Sequence, residues 1–314
     1  MSLSLYSACT LCPRKCRVDR VNGKTGFCGE TAHLRIGSIV AHFGEEPPIS
    51  GTKGSGTVFF TGCSTGCFFC QNHQLSKKGH GDVFTDESFC AAVEALLATG
   101  VHNVNFVTPD HFWPHVSLLI DTLRRSGVRK PFIMNSSGFH DREQVADWAG
   151  KVDIFLPDFK YADSELSKLC TGRSDYCELA LDAISEMVDL AGFLDVRLDG
   201  REGTASSGVL VRHLVLPGYI DNSLKVLNLL SERFGTMLPI SVMSQYRPTA
   251  YCEGKGTFER ALSQVEYDTV AEEVYRLGFS NVLFQPIVDE ESGFTPDFNR
   301  KDPFLGNKKN LTEP

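Results

Sequence analysis

Three cysteines lie within one short stretch of this chain, with the spacing C-x3-C-x2-C. They are Cys63, Cys67 and Cys70, in the sequence Gly-Cys-Ser-Thr-Gly-Cys-Phe-Phe-Cys-Gln-Asn that covers residues 62–72. Cysteine thiolates are the usual protein ligands of iron–sulfur clusters, so these three can hold three irons of a [4Fe-4S] cube. No fourth cysteine follows nearby, and the fourth iron would keep an open position, as a catalytic zinc does for water or substrate. The stretch therefore predicts a cluster that takes part in chemistry.

A disulfide pair with a spare thiol, or a zinc knuckle that lacks one ligand, would also contain three cysteines. The odd number of cysteines disfavours a disulfide framework, and residues 1–6 do not have the basic and apolar segments of a secretory signal. The setting favours the cluster. The apolar run at 57–60 is typical of a buried strand, and Gly62 and Gly66 permit the sharp turns that a cluster loop needs.

The elements that must position this loop can be predicted from the hydrophobic pattern. From Thr57 onward, short apolar runs alternate with amphipathic stretches, which indicates repeated βα units. Strands are predicted at 57–60, 103–108, 131–135, 152–156, 209–215, 240–243 and 281–284, and helices at 85–100, 118–125, 142–148, 178–190 and 264–277. The predicted fold class is α/β, a partial (β/α)6-type barrel with a small cysteine-rich module before it. The predicted domains are residues 1–50, a cysteine-rich module with a strand pair near 34–41; residues 51–285, the barrel; and residues 286–314, a C-terminal tail.

Polar residues stand at the predicted carboxyl ends of several strands. Sites in parallel barrels form at that edge, on the loops that follow the strands. The candidate residues are Thr108, Asn135, Ser137, Asp158 and Lys160, together with Arg212, which lies within the predicted strand at 209–215. Any one of them could equally be a helix cap or a solvated loop end. Their coincidence with the cysteine loop is what predicts a site.

The composition excludes some classes of protein. The chain has 314 residues and a formal net charge of −8, and no apolar run approaches the roughly 20 residues that span a bilayer. We therefore expect a cytoplasmic protein that does not enter a membrane. The acidic balance disfavours nucleic acid as a partner, since nucleic-acid binding needs a basic surface. Eleven cysteines are unusual in a reducing compartment unless many bind metal.

The cysteine motif, with Phe69 just before its last cysteine, resembles the defining motif of the radical S-adenosylmethionine (SAM) superfamily. Within it, residues from about 45 to 285 are similar to uncharacterised iron–sulfur proteins described as homologues of pyruvate formate-lyase activating enzyme. The similar strings are Glu-Glu-Pro-Pro-Ile-Ser-Gly at 45–51, Cys-Gln-Asn at 70–72, Leu-Pro-Asp-Phe-Lys-Tyr at 156–161, Arg-His-Leu-Val-Leu-Pro-Gly at 212–218 and Ser-Gln-Tyr-Arg-Pro at 244–248.

The resemblance implies a cofactor pair and a reaction. Cys63, Cys67 and Cys70 would hold a [4Fe-4S] cluster, and SAM would chelate its open iron and be cleaved reductively to a 5′-deoxyadenosyl radical. Asp158 and Lys160 resemble the Asp-x-Lys element that contacts the methionine end of SAM, where opposite charges pair with its amine and carboxylate.

Other parts of the family pattern are less complete in this chain. Arg212 could contact the same SAM carboxylate. The Gly-Gly-Glu element of the superfamily is replaced by Thr108-Pro109, so the contact to the SAM amine is not assigned. The resemblance also implies an electron donor such as flavodoxin or ferredoxin, and a glycyl-radical enzyme as a protein partner if the chain is an activase.

Four further cysteines precede the barrel. Cys9, Cys12, Cys16 and Cys28 have the spacing C-x2-C-x3-C-x11-C. Four thiolates suit either a tetrahedral zinc ion or a complete second iron–sulfur cluster, and the spacing does not choose between them. We expect a second metal site here.

Several functions are compatible with these features. The leading hypothesis is a radical SAM enzyme that abstracts hydrogen from its substrate, either as an activase of a glycyl-radical enzyme or on a small molecule. From other classes, an iron–sulfur electron-transfer protein and a nucleic-acid modifying enzyme stay open. Similarity of fold does not establish the substrate.

Overall fold

The structure is a computed structural model, and it describes residues 3–199, 203–287, 296–300 and 302–304. The described strands belong to two sheets. They are β1 (Leu34–His42), β2 (Ser55–Phe60), β3 (Asp82–Phe84), β4 (Val104–Val107), β5 (Phe132–Ser136), β6 (Ile154–Pro157), β7 (Gly208–Val209), β8 (Val211–Leu214), β9 (Ile240–Met243) and β10 (Val282–Phe284).

The sheet order shows a partial barrel of parallel strands. The first sheet has the order β3-β1-β2-β4-β5-β6-β7, and the second has β10-β9-β8. All neighbours from β2 to β7 and from β8 to β10 are parallel. Only Leu210 separates β7 from β8, and a bridge between Asp158 and Arg212 joins the two sheets beyond β6. The predicted α/β class and partial barrel are confirmed.

Helices connect the strands and cover the outside of the sheets. The described α-helices are α1 (Pro47–Ser50), α2 (His73–Ser76), α3 (Asp86–Ala98), α4 (Trp113–Arg125), α5 (Arg142–Ala146), α6 (Ser164–Thr171), α7 (Tyr176–Ala191), α8 (Ile220–Phe234) and α9 (Gln264–Leu277). The predicted bounds of β9 and α9 agree with the structure at both ends, whereas α4 begins five residues before its predicted start at 118. None of the described helices is both long and apolar enough to span a membrane.

Two apolar cores stabilise this arrangement. The large core lies between the sheets and the outer helices, where residues such as Phe106, Phe132 and Trp113 are buried. A smaller one lies on the other side of the strands and includes Ile133 and Ile49, the latter from α1. Because Ile49 joins the strand residues there, the segment before β2 packs into the barrel itself rather than beside it.

The region before the barrel differs in part from its prediction. The predicted strand pair near 34–41 is one strand, β1, and its antiparallel partners are β2 and β3 of the main sheet. The pairing of β1 depends on hydrogen bonds to strands that are distant in sequence, and the local hydrophobic pattern does not reveal such partners. The domain boundary near residue 50 stays a prediction. Most of the tail after residue 286 lies outside the described residues, although Phe298 and Phe304 pack against Phe59 of β2.

Candidate active site

The loop with three cysteines follows β2 at the carboxyl edge of the parallel strands. We call residues 62–72 the cluster loop. Its glycines have the left-handed backbone that the sequence suggested, with φ of 71° at Gly62 and 70° at Gly66. A hydrogen bond of 2.5 Å from Thr65 Oγ1 to Ser137 Oγ ties the loop to the end of β5. The loop is thereby fixed to the barrel rather than projecting from it.

A cavity of about 240 Å³ opens beside the cluster loop. The three loop cysteines line it, together with the six candidate residues named from the sequence. These lining residues are Cys63, Cys67, Cys70, Thr108, Asn135, Ser137, Asp158, Lys160 and Arg212. They come from the carboxyl ends of β2, β4, β5 and β6 and from within β8, so the barrel topology brings together residues that are up to 149 positions apart.

The loop thiols are free cysteines in an environment that disfavours their charged form. Burial raises the pKa of Cys63 to about 11, and the nearby carboxylate of Asp110 adds to the effect. Burial also raises the pKa of Cys67, which the charge of Lys160 partly opposes. A thiol must lose its proton to bind metal, so a cationic group in the cavity would stabilise the thiolates.

These thiols fit an iron–sulfur cube better than a single metal ion. No three His, Cys, Asp or Glu side chains in the described ranges converge closely enough to share one ion. A single zinc ion would hold its sulfurs within about 2.3 Å of itself, whereas a four-iron cube holds them at separate corners. Three thiols spaced around one cavity agree with the larger group.

The loop after β6 places an ion pair beside these cysteines. Lys160 Nζ contacts Asp158 Oδ2. Burial alone would lower the pKa of Lys160, but the charges of Asp158 and Cys67 outweigh it and the pKa is raised. Tyr176 holds this loop, because its hydroxyl lies 3.0 Å from the Asp158 carbonyl oxygen and accepts a hydrogen bond of 3.2 Å from the Lys160 N–H. A Cβ on Gly138 would collide with the same Asp158 carbonyl, so the close approach of the two loops requires glycine.

The sequence model of the radical SAM superfamily matches residues 57–230, more than half of the chain. This chain belongs to the radical SAM superfamily. Membership implies an iron–sulfur cluster and SAM as its cofactors, and it agrees with the resemblance found in the motifs. An uncharacterised protein of Methanocaldococcus jannaschii is 26% identical over 276 residues, which are 86% of this chain and 75% of that protein.

Several solved structures are also similar. Methylornithine synthase is 13% identical with a TM-score of 0.47, over 77% of this chain and 75% of its own. A domain of pyruvate-formate lyase-activating enzyme from Bacteroides vulgatus is 16% identical with a TM-score of 0.35, over 55% and 92%. Streptococcus suis SuiB bound to SAM is 11% identical with a TM-score of 0.48, over 73% and 48%. The family assignment depends on the sequence model and not on these three matches.

At this cavity, Arg212 has carboxylate partners of its own. Its Nε donates to Glu46 Oε1 at 2.9 Å, and its Nη2 donates to Glu45 Oε2 at 2.6 Å and to Glu46 Oε2. The second Glu45 oxygen accepts from Asn105 Nδ2 at 2.9 Å. Burial opposes this charge network, yet the two carboxylates raise the pKa of Arg212, and Arg212 lowers that of Glu46. The predicted contact from Arg212 to SAM would have to share the guanidinium with this network.

Thr108 stands where the superfamily has its Gly-Gly-Glu element. Its φ is +47°, a left-handed conformation that a β-branched residue seldom adopts. The backbone N–H of Thr108 donates to the Asn135 carbonyl at 2.8 Å, which holds it at the end of β4. The cost of this conformation, of order 1–3 kcal/mol, is typical of backbone positions that serve a site.

Sequence reasoning missed several residues that line the cavity. Glu45, His42 and Gln71 are among them, whereas Gln245 and Arg247 belong to the string at 244–248 that the sequence had already indicated. A signal existed for Glu45. Arg212 lies within a buried strand and needs a negatively charged partner, and the adjacent Glu45 and Glu46 could have been proposed as that partner. No pattern pointed to His42, whose ring lies 4.1 Å from that of Phe304 in the tail.

Three buried histidines near the strand ends have structural positions. His213 Nδ1 donates to the Phe159 carbonyl at 2.7 Å, and its Nε2 accepts from Ser223 Oγ at 2.9 Å. His111 Nε2 lies 2.7 Å from the Thr61 carbonyl. None of His111, His140 and His213 is among the residues described as lining the cavity.

The four N-terminal cysteines do not form a comparable site. Cys9 and Cys12 are buried, Cys28 is half-buried and Cys16 is exposed. Cys16 Sγ accepts a hydrogen bond of 3.4 Å from the Phe27 N–H. All four lie within the described ranges, where no three potential metal ligands converge closely enough to hold one ion. The second metal site stays a prediction.

Proposed function

We propose that this protein is a radical SAM enzyme in which Cys63, Cys67 and Cys70 hold the [4Fe-4S] cluster and the cavity beside them binds SAM. One observation carries the proposal. The three free thiols line a cavity together with polar and charged groups from four further strands. An electron-transfer protein would need the thiols but not this surrounding set of binding groups.

The roles of the chain's own residues follow from their charges. Asp158 would accept hydrogen bonds from the amine of SAM, and Lys160 would donate to its carboxylate, once the ion pair between them opens to admit the ligand. Thr108, Asn135 and Ser137 would donate and accept hydrogen bonds along the cavity wall. The buried pair of Arg212 with Glu45 and Glu46 would keep that wall rigid. When bound, the cluster supplies the electron that cleaves SAM to methionine and a 5′-deoxyadenosyl radical, which abstracts hydrogen from the substrate.

The test is formation of 5′-deoxyadenosine by the anaerobically reconstituted, dithionite-reduced protein, measured by liquid chromatography. We expect turnover in the native protein and none in Cys67→Ala. A Cys90→Ala variant is the control, since Cys90 on α3 is half-buried against the core, does not line the cavity and tests for damage from losing a packed thiol. Equal product from the native protein and Cys67→Ala would overturn the proposal.

The substrate is a separate question. The resemblance to homologues of an activating enzyme supports a glycyl-radical enzyme as the substrate, with a small molecule as the alternative. An organic-radical EPR signal that develops in a partner enzyme only when SAM is present would favour the activase. Consumption of a small molecule without any partner protein would favour the alternative.

A further inference from the structure

A small basic surface stands out on this acidic protein. Residues 9–28, which we call the cysteine segment, contain five lysines or arginines and a single acidic residue, Asp19, in a chain of net charge −8. Three of the cations, Lys15, Arg17 and Lys24, are exposed. Asp19 accepts hydrogen bonds from Asn22 and keeps its negative charge, and Lys15 pairs with Asp141 of the barrel at 3.1 Å. The three exposed cations therefore exceed these two carboxylates by one, and the face carries a small net positive charge.

This face lies directly outside the cluster loop. The ring of Phe27 is 49% exposed, and a Cβ on Gly66 would lie 2.6 Å from it, so the ring packs on the loop between Cys63 and Cys67. The carbonyl oxygen of Cys28 would be 2.5 Å from a Cβ on Gly62. Because both glycines lack a side chain, the cysteine segment packs closely against the cluster loop at Gly62 and Gly66.

Arg14 fastens the two parts together. Its guanidinium carbon lies 3.6 Å from the centre of the Phe27 ring. Its Nε donates to the Ser64 carbonyl at 2.9 Å and its Nη2 to the Thr65 carbonyl at 3.0 Å. The exposed aromatic ring is therefore held against the cluster loop by its contact with Arg14 and by its close approach to Gly66.

The proposed enzyme needs an electron for each SAM that it cleaves, and the cavity is where SAM and substrate would bind. We propose that the exposed face of the cysteine segment, formed by Lys15, Arg17, Lys24 and Phe27, is the docking surface for an acidic one-electron donor protein. This inference rests on the proposed function. One electron passes from the reduced donor to the oxidised [4Fe-4S]2+ cluster, which leaves the donor oxidised by one electron and the cluster as [4Fe-4S]+.

Charge and chemistry both favour such a partner. Opposite charges steer encounter and raise association rates by about 10- to 1,000-fold, an effect that salt screens. Aromatic and arginine side chains dominate the binding energy of protein interfaces, and Phe27 stacked on Arg14 presents both types. RNA is also anionic. A position next to the loop that would hold the cluster shortens the path for an electron from a donor protein, whereas it gives no advantage for binding RNA.

The experiment is stopped-flow reduction of the cluster by reduced flavodoxin, and separately by reduced ferredoxin, followed by cluster absorbance. The test variant is Arg17→Glu/Lys24→Glu. The matched control is Arg125→Glu/Lys130→Glu, which changes the net charge equally at the exposed last residue of α4 and at an exposed residue shortly before β5, near the amino end of that barrel strand. We expect the second-order rate constant to fall at least about 10-fold in the test variant and to stay within about twofold in the control. Added salt should slow the native protein but not the test variant.

Reduction by dithionite separates this inference from the proposed function. All three proteins should give the same [4Fe-4S]+ EPR signal with dithionite, and SAM should change it in each, which also shows that the test variant is folded. If that signal or its response to SAM is absent from the native protein, the proposed function fails. If both are present, docking is overturned by equal rates in the test variant and the native protein. It is also overturned if neither acidic donor reduces the native protein faster than a neutral mediator does, or if the charge reversal abolishes binding of a single-stranded RNA while donor rates persist.

Discussion

The two groups of cysteines in this chain differ in what surrounds them. The N-terminal group has four cysteines, enough to complete a metal site, whereas the cluster loop has three. Yet Cys9 packs with Tyr6 and Leu11 in a small apolar cluster, and Cys16 faces solvent. The loop cysteines instead line a cavity with binding groups from several strands. The incomplete set is the one with room for a reactant.

Electrostatics alone would not have separated the two groups. Burial raises the pKa of Cys28 to about 11, as it does for Cys63. In each group a nearby cation, Arg20 for Cys28 and Lys160 for Cys67, partly offsets the effect. What differs is the cavity and the strand ends around it. The comparison teaches that the position of the thiols relative to the sheet, and not their number, distinguishes the proposed site from the N-terminal group.

The largest expected difference is in the effect of a cysteine substitution on the cluster in each group. Cys67→Ala should abolish the SAM-responsive cluster, because it removes one of three ligands. Cys16→Ala should leave that cluster intact, because Cys16 is exposed and does not line the cavity. Iron content and EPR of both variants would check this. A Cys16→Ala protein without the SAM-responsive signal would break the comparison, since the two groups would then form one functional unit.

The next effect concerns the ion pairs of the two regions. Glu46→Ala should lower the free energy of unfolding by about 3–5 kcal/mol, because it leaves the buried Arg212 without one carboxylate. The matched change in the N-terminal region, Lys15→Ala, should cost at most about 1 kcal/mol, since its bond of 3.1 Å to Asp141 is partly exposed. Denaturant unfolding of both variants measures the difference. Similar costs for the two would contradict the account of a rigid barrel wall.

The stability of the protein should depend on pH through a histidine of the barrel and not through one of the N-terminal region. Burial lowers the pKa of His213 to about 4, so the folded protein resists a proton that the unfolded chain accepts near pH 6.5. Its contribution to stability is complete above pH 6.5 and is lost as the pH falls toward 4, by about 3 kcal/mol. In the apoprotein, His213→Gln should reduce the loss of stability over this range, whereas His33→Gln, at an exposed site, should not. An unchanged pH profile in His213→Gln would refute the neutral, buried histidine.

The smallest predicted effect tests the cavity as a binding site. Lys160→Met should weaken SAM binding by about 10- to 100-fold, because it removes one charged hydrogen bond worth about 1.5–3 kcal/mol. Lys225→Met on α8 is the control, since Lys225 makes an exposed ion pair of 3.5 Å with Asp163 and does not line the cavity. Calorimetric titration of the reconstituted proteins measures both affinities. Equal affinities would remove Lys160 from the proposed site.

The sequence was most informative where function depends on short spacing. Cys63, Cys67 and Cys70 could be singled out from their spacing, and the strand ends from the alternation of apolar runs. Contacts between distant segments could not be predicted in this way. The pairing of Arg212 with Glu45, 167 residues apart, and the pairing of β1 with β2 depend on how the chain closes in space.

The cysteine segment shows the same limit. Its four cysteines and its basic residues were visible in the sequence, but its contact with the cluster loop was not. That contact depends on Arg14 reaching backbone carbonyls of Ser64 and Thr65, and a backbone acceptor has no sequence signature. The packing of Phe27 against Gly66 could not be predicted either, because the sequence does not show which side chain lies over a glycine.

The most direct test of the central claim is EPR of the anaerobically reconstituted, reduced protein, recorded with and without SAM alongside Cys63→Ala. The account predicts a [4Fe-4S]+ signal that SAM alters and that the variant does not give. A signal from a full cluster that is indifferent to SAM would contradict it, because the open iron beside the cavity would then have no role. Electron transfer without SAM chemistry would become the better account.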